Sequence, residues 1–239
     1  MGSRFLAELA IADIVTLGNA VIGFVAIAVA PSDPELAARL ILLAAVADGV
    51  DGVVARQFGG SKVGPYLDSL ADVPSFALAP AVVVYVVSAG GLSTGLPSPA
   101  SALIVAIVPA MFVAFAVLRL GFYSAYDTSA TKTVGAPSTL AATVLGTLLL
   151  IPHATPFILL VVTGVLAISM ISPIDYPDLL ARDALLMGVI HLMAVIHPTF
   201  FGRVFVYALL TLAVAYLLLG PIAYWGESER RLRSPQTPE

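Results

Sequence analysis

The sequence predicts an all-α integral membrane protein with about eight transmembrane helices. Of the 239 residues, 59% are hydrophobic and only 11% are charged, whereas a soluble domain carries about 25% charged residues. Long apolar stretches also approach the roughly 20 residues that a helix needs to cross a bilayer. The lack of cysteine excludes disulfides and thiolate chemistry. The net charge of −4 argues against a nucleic-acid partner.

The predicted spans follow one another along the chain, separated by polar or turn-rich segments. They cover residues 13–30, 35–58, 64–88, 100–123, 138–151, 157–171, 179–196 and 199–224. The break between the fifth and sixth spans is short, so these two could instead form one broken helix, which would reduce the count to seven. We expect residues 1–225 to form a single transmembrane domain and residues 226–239 a polar cytoplasmic tail.

The distribution of basic residues predicts the orientation of this domain. Nine lysines and arginines fall on one face of the predicted bundle, and only Arg39 and Arg203 fall on the other. Because cytoplasmic loops are enriched in basic residues, we expect both termini and the loops after spans two, four and six to be cytoplasmic. The nine residues are Arg4, Arg56, Lys62, Arg119, Lys132, Arg182, Arg230, Arg231 and Arg233.

Four aspartates lie inside this hydrophobic sequence. They are Asp48, Asp51, Asp68 and Asp72. A charged side chain at mid-bilayer costs about 2.5–3.5 kcal/mol, so four of them require a functional reason. Spacings of three and four residues place each pair on one helical face, and a short turn at residues 59–60 makes the two helices antiparallel neighbours. We therefore expect all four carboxylates to converge near the cytoplasmic end.

Converging carboxylates repel one another unless protons or cations neutralise them. Ligand sets made only of oxygen suit Mg²⁺ or Mn²⁺, and two such ions close together can stabilise phosphoryl transfer. The small residues Gly52, Ala55 and Gly64 leave room for a bulky ligand, and Arg56 and Lys62 can hold phosphate oxygens at the rim. The alternative interpretation of the aspartates is the cation pathway of an ion-coupled transporter.

The aspartate stretch resembles the signature of the CDP-alcohol phosphatidyltransferases, D-x-x-D-G-x-x-A-R-x(7–8)-G-x-x-x-D-x-x-x-D, at every fixed position. The resemblance implies a membrane enzyme that transfers a lipid phosphoryl group from a CDP-linked lipid to an alcohol and releases CMP. It implies that the four aspartates hold two divalent ions and that Asp72 is also the general base. The segment T16-L-G-N19 resembles the family's T-x-x-N element near the nucleotide. The residues expected to bind the CDP-linked lipid are Asn19, Asp48, Gly52, Ala55, Arg56, Lys62 and Gly64.

Downstream segments resemble the phosphatidylserine and archaetidylserine synthase branch of the family, which implies L-serine as the acceptor. These segments are D68-S-L-A-D-V-P-S-F-A-L-A-P-A81, L118-R-L-G-F-Y123, V134-G-A-P-S and M170-I-S-P-I-D-Y-P. The residues Gly121–Tyr123 depart from the branch pattern A-R-F-N and lack its cation and its amide. Arg119 and Lys132 are the remaining cations near the site, and we expect them to bind the acceptor. Glycerol phosphate or inositol phosphate is the alternative acceptor.

The composition resembles archaeal members of the family, which implies CDP-archaeol as the lipid donor, with CDP-diacylglycerol as the alternative. Members of the family are often homodimers, so the resemblance also implies a homodimer in the cell membrane. Three histidines fall far from the predicted site, in outer loops or inside spans, and we do not expect them to bind metal. They are His153, His191 and His197.

Overall fold

The computed structural model describes residues 8–92, 98–126, 132–177 and 181–223. These residues form nine α-helices, and the prediction of a helical protein is confirmed. The helices are α1 (Ile11–Val29), α2 (Pro34–Phe58), α3 (Gly64–Asp72), α4 (Ala79–Leu92), α5 (Pro99–Tyr126), α6 (Ser138–Leu149), α7 (Pro156–Met170), α8 (Ala181–Ile196) and α9 (Val204–Ala223). A π-helical segment, Val73–Leu78, joins α3 to α4, and a 3₁₀ turn, Phe200–Gly202, precedes α9.

Among the described residues, four helical stretches are long and apolar enough to cross a membrane, which supports a protein with multiple spans. They are Ile11–Val29, Gly64–Gly91, Pro99–Ala125 and Phe200–Ile222. Helix α2 has sufficient length, at 25 residues, but it carries five charged side chains. Helices α6 and α7 have 12 and 15 residues and rise about 18 and 22 Å, less than the roughly 30 Å of a bilayer core. Eight membrane crossings therefore remain a prediction.

The region of the fifth and sixth predicted spans contains two separate helices. The backbone N–H of Ala136, just before α6, donates to the carbonyl of Ser169 near the end of α7 at 3.0 Å. Because the beginning of one helix lies beside the end of the next, α6 and α7 run antiparallel. The Thr155 hydroxyl accepts from the backbone N–H of Ile158 at 3.3 Å and caps α7. The alternative of one broken helix is therefore wrong.

The all-α prediction requires one correction, because the loops after α5 and α7 pair as strands. Strand β1 (Lys132–Val134) runs antiparallel to β2 (Asp175–Pro177). The α6–α7 hairpin brings the two loops side by side, so the backbone N–H and C=O groups of one loop hydrogen-bond to those of the other. Tyr176 donates to the carbonyl of Leu217 on α9 at 3.1 Å. Burial raises the pKa of Tyr176, so its hydroxyl stays a neutral donor.

Two arginines identify the helix ends that meet on the side opposite the aspartates. Arg39, near the start of α2, donates to the carbonyl of Val195 near the end of α8 at 2.8 Å. Arg203, just before α9, donates to the carbonyl of Leu150 just after α6 at 2.7 Å. The last carbonyls of a helix have no partner within the helix, so each arginine completes a helix end. Both cations thus lie at the end of the bundle predicted to face outward.

Helix α1 packs against the π-helical segment with almost no space between them. A Cβ atom added at Gly23 would lie 2.5 Å from the Oγ of Ser75 and 2.7 Å from its backbone nitrogen. The Ser75 hydroxyl also donates to the carbonyl of Asn19 at 2.9 Å, and Ser75 is fully buried. Glycine at position 23 therefore sets the distance between α1 and the helix that carries Asp68 and Asp72.

We expect Gly23→Ala to destabilise the protein by about 1–3 kcal/mol, because the added methyl group must displace the Ser75 backbone. Gly18→Ala on the same helix is the matched control, since nothing lies within 4 Å of its added Cβ. That change should be neutral or stabilising by up to about 1 kcal/mol. The measurement is thermal unfolding in detergent micelles. Equal melting temperatures for the two variants would contradict the close contact.

Candidate active site

Three of the four predicted acids form a cluster at one end of the bundle. Asp48 on α2 and Asp68 and Asp72 on α3 each offer one carboxylate oxygen, and these three oxygens lie within 4.8 Å of one another. Helices α2 and α3 are joined only by residues 59–63, so the chain brings the two acidic faces together. These three carboxylates therefore converge from adjacent helices, as the spacing predicts.

The fourth acid, Asp51, lies next to this cluster but is not part of it. Its Oδ2 accepts a hydrogen bond from the Thr16 hydroxyl on α1 at 2.7 Å. Its charge still acts on Asp48 and Asp68. Asp51 is buried, with 6% of its surface exposed. The structure therefore places three carboxylates around one point and the fourth on an adjoining wall.

An open cleft of about 460 Å³ adjoins the acids, and several predicted ligand-binding residues form its walls. Gly52, Ala55 and Gly64 line it together with Asp51 and Asp68. A Cβ atom at Gly64 would lie 3.2 Å from a carboxylate oxygen on α1, so a side chain there would narrow the cleft. The prediction that small residues leave space beside the acids agrees with this geometry.

The predicted cations Arg56 and Lys62 are both exposed. Arg56 lies over Gly52, because its Nη1 would be 3.5 Å from a Cβ atom added there. Lys62 follows Gly60 and Ser61, two residues of the cleft wall. Their contact with a ligand at the rim of the cleft remains a prediction.

Asn19 lies away from the cleft walls, one helical turn beyond Thr16 on α1. Its side chain is fully buried, and both amide atoms lack a hydrogen-bond partner among the residues that the structure describes. A buried amide without partners carries a desolvation cost. This position gives no direct contact with the cleft and leaves the predicted role of Asn19 untested.

Sequence reasoning missed a fifth acid of the site, Asp13, which lines the cleft with Asp51 and Asp68. Only 1% of its surface is exposed, and it lines the cleft with Thr16. Its Oδ2 accepts from the backbone N–H of Ala10 at 2.7 Å, which caps the start of α1. The spacing of three residues to Thr16 places both side chains on one face of α1. That spacing was the available signal, but it does not reveal which helix the face contacts.

A second cavity, of about 540 Å³, lies between the end of α5, strand β1 and the end of α7. Arg119 and Tyr123 line it, and Tyr123 also lines the first cleft. Arg119 donates to the Ser138 hydroxyl at 3.3 Å and lies 5.9 Å from the centre of the Tyr123 ring. Its charge also acts on Asp72. The predicted acceptor residue Arg119 therefore lines the second cavity and interacts electrostatically with one of the acids.

Lys132, the second predicted acceptor residue, begins β1. Its side chain lies outside the described residues. Its neighbour Thr133 lines the second cavity, so the backbone of Lys132 is close to that space.

The profile of the CDP-alcohol phosphatidyltransferase family matches residues 9–171. The chain belongs to this family. The matched region includes the acids, the first cleft, Arg119 and strand β1. The resemblance predicted from the aspartate signature is therefore confirmed, and the matched region extends through α7.

Curated relatives of this family member carry the names of the predicted branch. A CDP-diacylglycerol–serine O-phosphatidyltransferase of Mycobacterium leprae is 53% identical over 53 residues, 22% of this chain and 18% of the relative. The enzyme of the same name in Mycobacterium bovis is 35% identical over 41% of this chain and 32% of the relative. An archaetidylserine synthase of Methanothermobacter thermautotrophicus is 26% identical over 73% of this chain and 72% of the relative. The chain thus spans at most a third of the mycobacterial relatives.

The acids of this family member suit divalent cations. All the potential ligand atoms are oxygens, which hard cations such as Mg²⁺ and Mn²⁺ prefer. The Oδ1 atom of Asp72 is buried and has no hydrogen-bond partner among the described residues, as expected for an atom kept for a ligand. Asp72 also directly precedes the π-helical segment, and such segments are frequent at functional sites.

We expect divalent ions to stabilise the protein by relieving the repulsion among Asp48, Asp68 and Asp72. Mn²⁺ at 100 times its dissociation constant should add about 2.7 kcal/mol relative to protein in EDTA. Asp68→Asn should raise the melting temperature in EDTA and reduce the increment from Mn²⁺, since it removes one charge and one ligand. Glu35→Gln, at the far end of α2, is the matched control and should leave the increment unchanged. An undiminished increment in Asp68→Asn would contradict this role of the cluster.

Proposed function

We propose that this protein transfers the lipid phosphoryl group of a CDP-linked lipid to the hydroxyl of L-serine and releases CMP. The observation that carries the proposal is the cluster of three carboxylate oxygens within 4.8 Å beside a cleft walled by small residues. Family membership supports the transfer chemistry. The names of the mycobacterial and archaeal relatives support serine as the acceptor.

Two divalent ions, Mg²⁺ or Mn²⁺, would be held by Asp48, Asp68 and Asp72, with Asp51 supplying a further ligand from the cleft wall. When bound, such ions neutralise a diphosphate and stabilise the departing CMP. The Thr16 hydroxyl donates to Oδ2 of Asp51, which would orient this carboxylate toward a metal. The five carboxylates of the site, including Asp13, otherwise give a strongly negative cleft that would repel the diphosphate.

The first cleft is the proposed site for the CDP moiety. Gly52, Ala55 and Gly64 would let the nucleotide approach the helix backbones closely. Arg56 and Lys62, exposed at the rim, would pair with phosphate oxygens. From the family resemblance we propose that Asn19 binds the nucleotide; its buried amide lies beyond the cleft walls and has no partner among the described residues.

Asp72 is the proposed general base. Its unpartnered Oδ1 would take the proton from the serine hydroxyl as the hydroxyl oxygen attacks the lipid-side phosphorus. The new phosphorus–oxygen bond joins serine to the lipid, and the bond to CMP breaks with CMP carrying away the electron pair. Arg119 would stabilise the negative charge that develops on the phosphoryl oxygens.

The acceptor would approach through the second cavity. Arg119 lines this cavity and acts on Asp72, so a carboxylate paired with Arg119 would place the serine hydroxyl near the base. Lys132 is proposed as a second contact for the same carboxylate. Phosphorylated acceptors would require a larger cationic cluster, and Arg119 is the one cation among the described residues that line this cavity.

For the intact protein we propose eight membrane crossings, with both termini and the acids on the cytoplasmic side of the cell membrane. The position of Arg39 and Arg203 at the opposite end of the bundle supports this orientation. The donor would be CDP-archaeol or CDP-diacylglycerol, since relatives named for each lipid class match the chain. The assembly proposed from the family resemblance is a homodimer.

An acceptor screen tests the proposed reaction. Purified protein with Mn²⁺ or Mg²⁺ and either CDP-linked lipid should release CMP when L-serine is added, and label from serine should enter the lipid. Glycerol phosphate and inositol phosphate are the comparison acceptors. If CMP were released only with a phosphorylated acceptor, serine would be the wrong acceptor. The transfer chemistry of the family would still hold. Cation flux without CMP release under any condition would favour the alternative interpretation of the protein as an ion-coupled transporter.

We expect Asp72→Asn to reduce kcat by about 10²–10⁴-fold at saturating metal, because the amide cannot accept the serine proton. Binding of the CDP-linked lipid should largely persist, since the cleft walls and the rim cations are unchanged. Asp183→Asn, at the start of α8, is the control and should turn over normally. The measurement is CMP release alongside lipid binding by the same preparation. Wild-type turnover in Asp72→Asn would refute its role as the base.

A further inference from the structure

Two threonine hydroxyls from different helices reach the two aspartates of α2. The Thr16 hydroxyl on α1 donates to Oδ2 of Asp51 at 2.7 Å. The Thr139 hydroxyl, in the first turn of α6, donates to Oδ2 of Asp48 at 3.3 Å. Each of these two carboxylates therefore accepts a hydrogen bond from a neighbouring helix, and Asp51 also accepts one from the backbone N–H of Gly52.

The Asp72 carboxylate on α3 is arranged differently. Its Oδ1 is buried without a hydrogen-bond partner among the described residues. The contrast separates two kinds of carboxylate at this site. Threonine hydroxyls orient the carboxylates of Asp48 and Asp51. The carboxylate of Asp72 instead has an oxygen that can accept a proton or bind an ion.

The helix that carries Thr139 is itself held by a buried polar contact. One turn further along α6, the Thr143 hydroxyl lies 3.1 Å from Nε2 of His191 on α8. The Nδ1 of His191 lies 2.9 Å from the carbonyl of Met187. Because that carbonyl can only accept, Nδ1 donates to it, and Nε2 of the neutral ring accepts from Thr143. This contact fixes α6 against α8 and limits how far Thr139 can move from Asp48.

We propose that Thr16 and Thr139 are positioning residues that hold Asp51 and Asp48 in the orientation needed to bind divalent ions. A hydrogen bond to one carboxylate oxygen restricts rotation of the group, so the other oxygen points in a defined direction. Outer partners of this kind typically contribute about 10- to 100-fold to metal affinity. The inference rests on the proposed function, because it assumes that the acids bind metal.

The test measures Mn²⁺ binding to purified protein without substrate, from the electron paramagnetic resonance signal of free Mn²⁺. Thr139→Val and Thr16→Val should each weaken binding by about 10- to 100-fold, whereas Thr139→Ser and Thr16→Ser, which keep the hydroxyl, should bind nearly as tightly as wild type. In turnover assays, the valine variants should need more Mn²⁺ for half-maximal rate and recover much of their kcat at saturation. If a valine variant does not fold, the corresponding alanine variant serves the same comparison.

Thr147→Val is the matched control on α6. Thr147 is fully buried, and its hydroxyl donates to the carbonyls of Thr143 and Val144 within its own helix. The Mn²⁺ affinity of the Thr147→Val variant should equal that of the wild-type protein. Valine or alanine variants of Thr16 and Thr139 that bind Mn²⁺ as tightly as wild type would overturn the inference, as would serine variants as weak as valine. A wild-type protein that binds no Mn²⁺ would instead overturn the proposed function.

Discussion

Mutual repulsion among carboxylates at one end of a helical bundle is the constraint on which the rest of this structure depends. Three carboxylate oxygens from Asp48, Asp68 and Asp72 lie within 4.8 Å, an arrangement that is unfavourable in a low-dielectric site without counter-ions. The packing of the helices must therefore hold the acids in place. The turn at residues 59–63 brings α2 and α3 together, and the apolar contacts around Ile41 and Phe76, both fully buried, stabilise the same helices deeper in the bundle.

Helix α1 shows how this constraint shapes the neighbouring elements. At its first turns it presents Asp13 and Thr16 to the cleft, and one to two turns deeper Gly23 meets the π-helical segment. A larger residue at position 23 would move α1 away from the segment that follows Asp72. The hydroxyl of Thr16 would then lose its 2.7 Å contact with Asp51. Close packing deep in the bundle and orientation of the acids are therefore parts of one arrangement.

The sequence predicted the features that depend on position within a single helix. Spacings of three and four residues identify the acidic faces of α2 and α3 because helical geometry is periodic. The contact of Thr139 with Asp48 joins residues 91 positions apart, and the pairing of β1 with β2 depends on the α6–α7 hairpin. Such features follow from how helices pack, which one sequence does not specify. Asn19 illustrates the same limit, since the motif gives its position on α1 but not the surface that it faces.

Tyr123 and Arg119 give the two cavities different chemical roles. The first cleft has acidic and small residues on its walls and exposed cations at its rim, which suits a metal-bound diphosphate. The second cavity is largely apolar and has Arg119 beside Asp72, which suits a small anion next to a base. Tyr123 lines both cavities, so the proposed donor and acceptor sites share a wall. Attack opposite the departing CMP requires the entering and leaving oxygens to lie roughly in line, which a donor in the first cleft and an acceptor in the second cavity would provide.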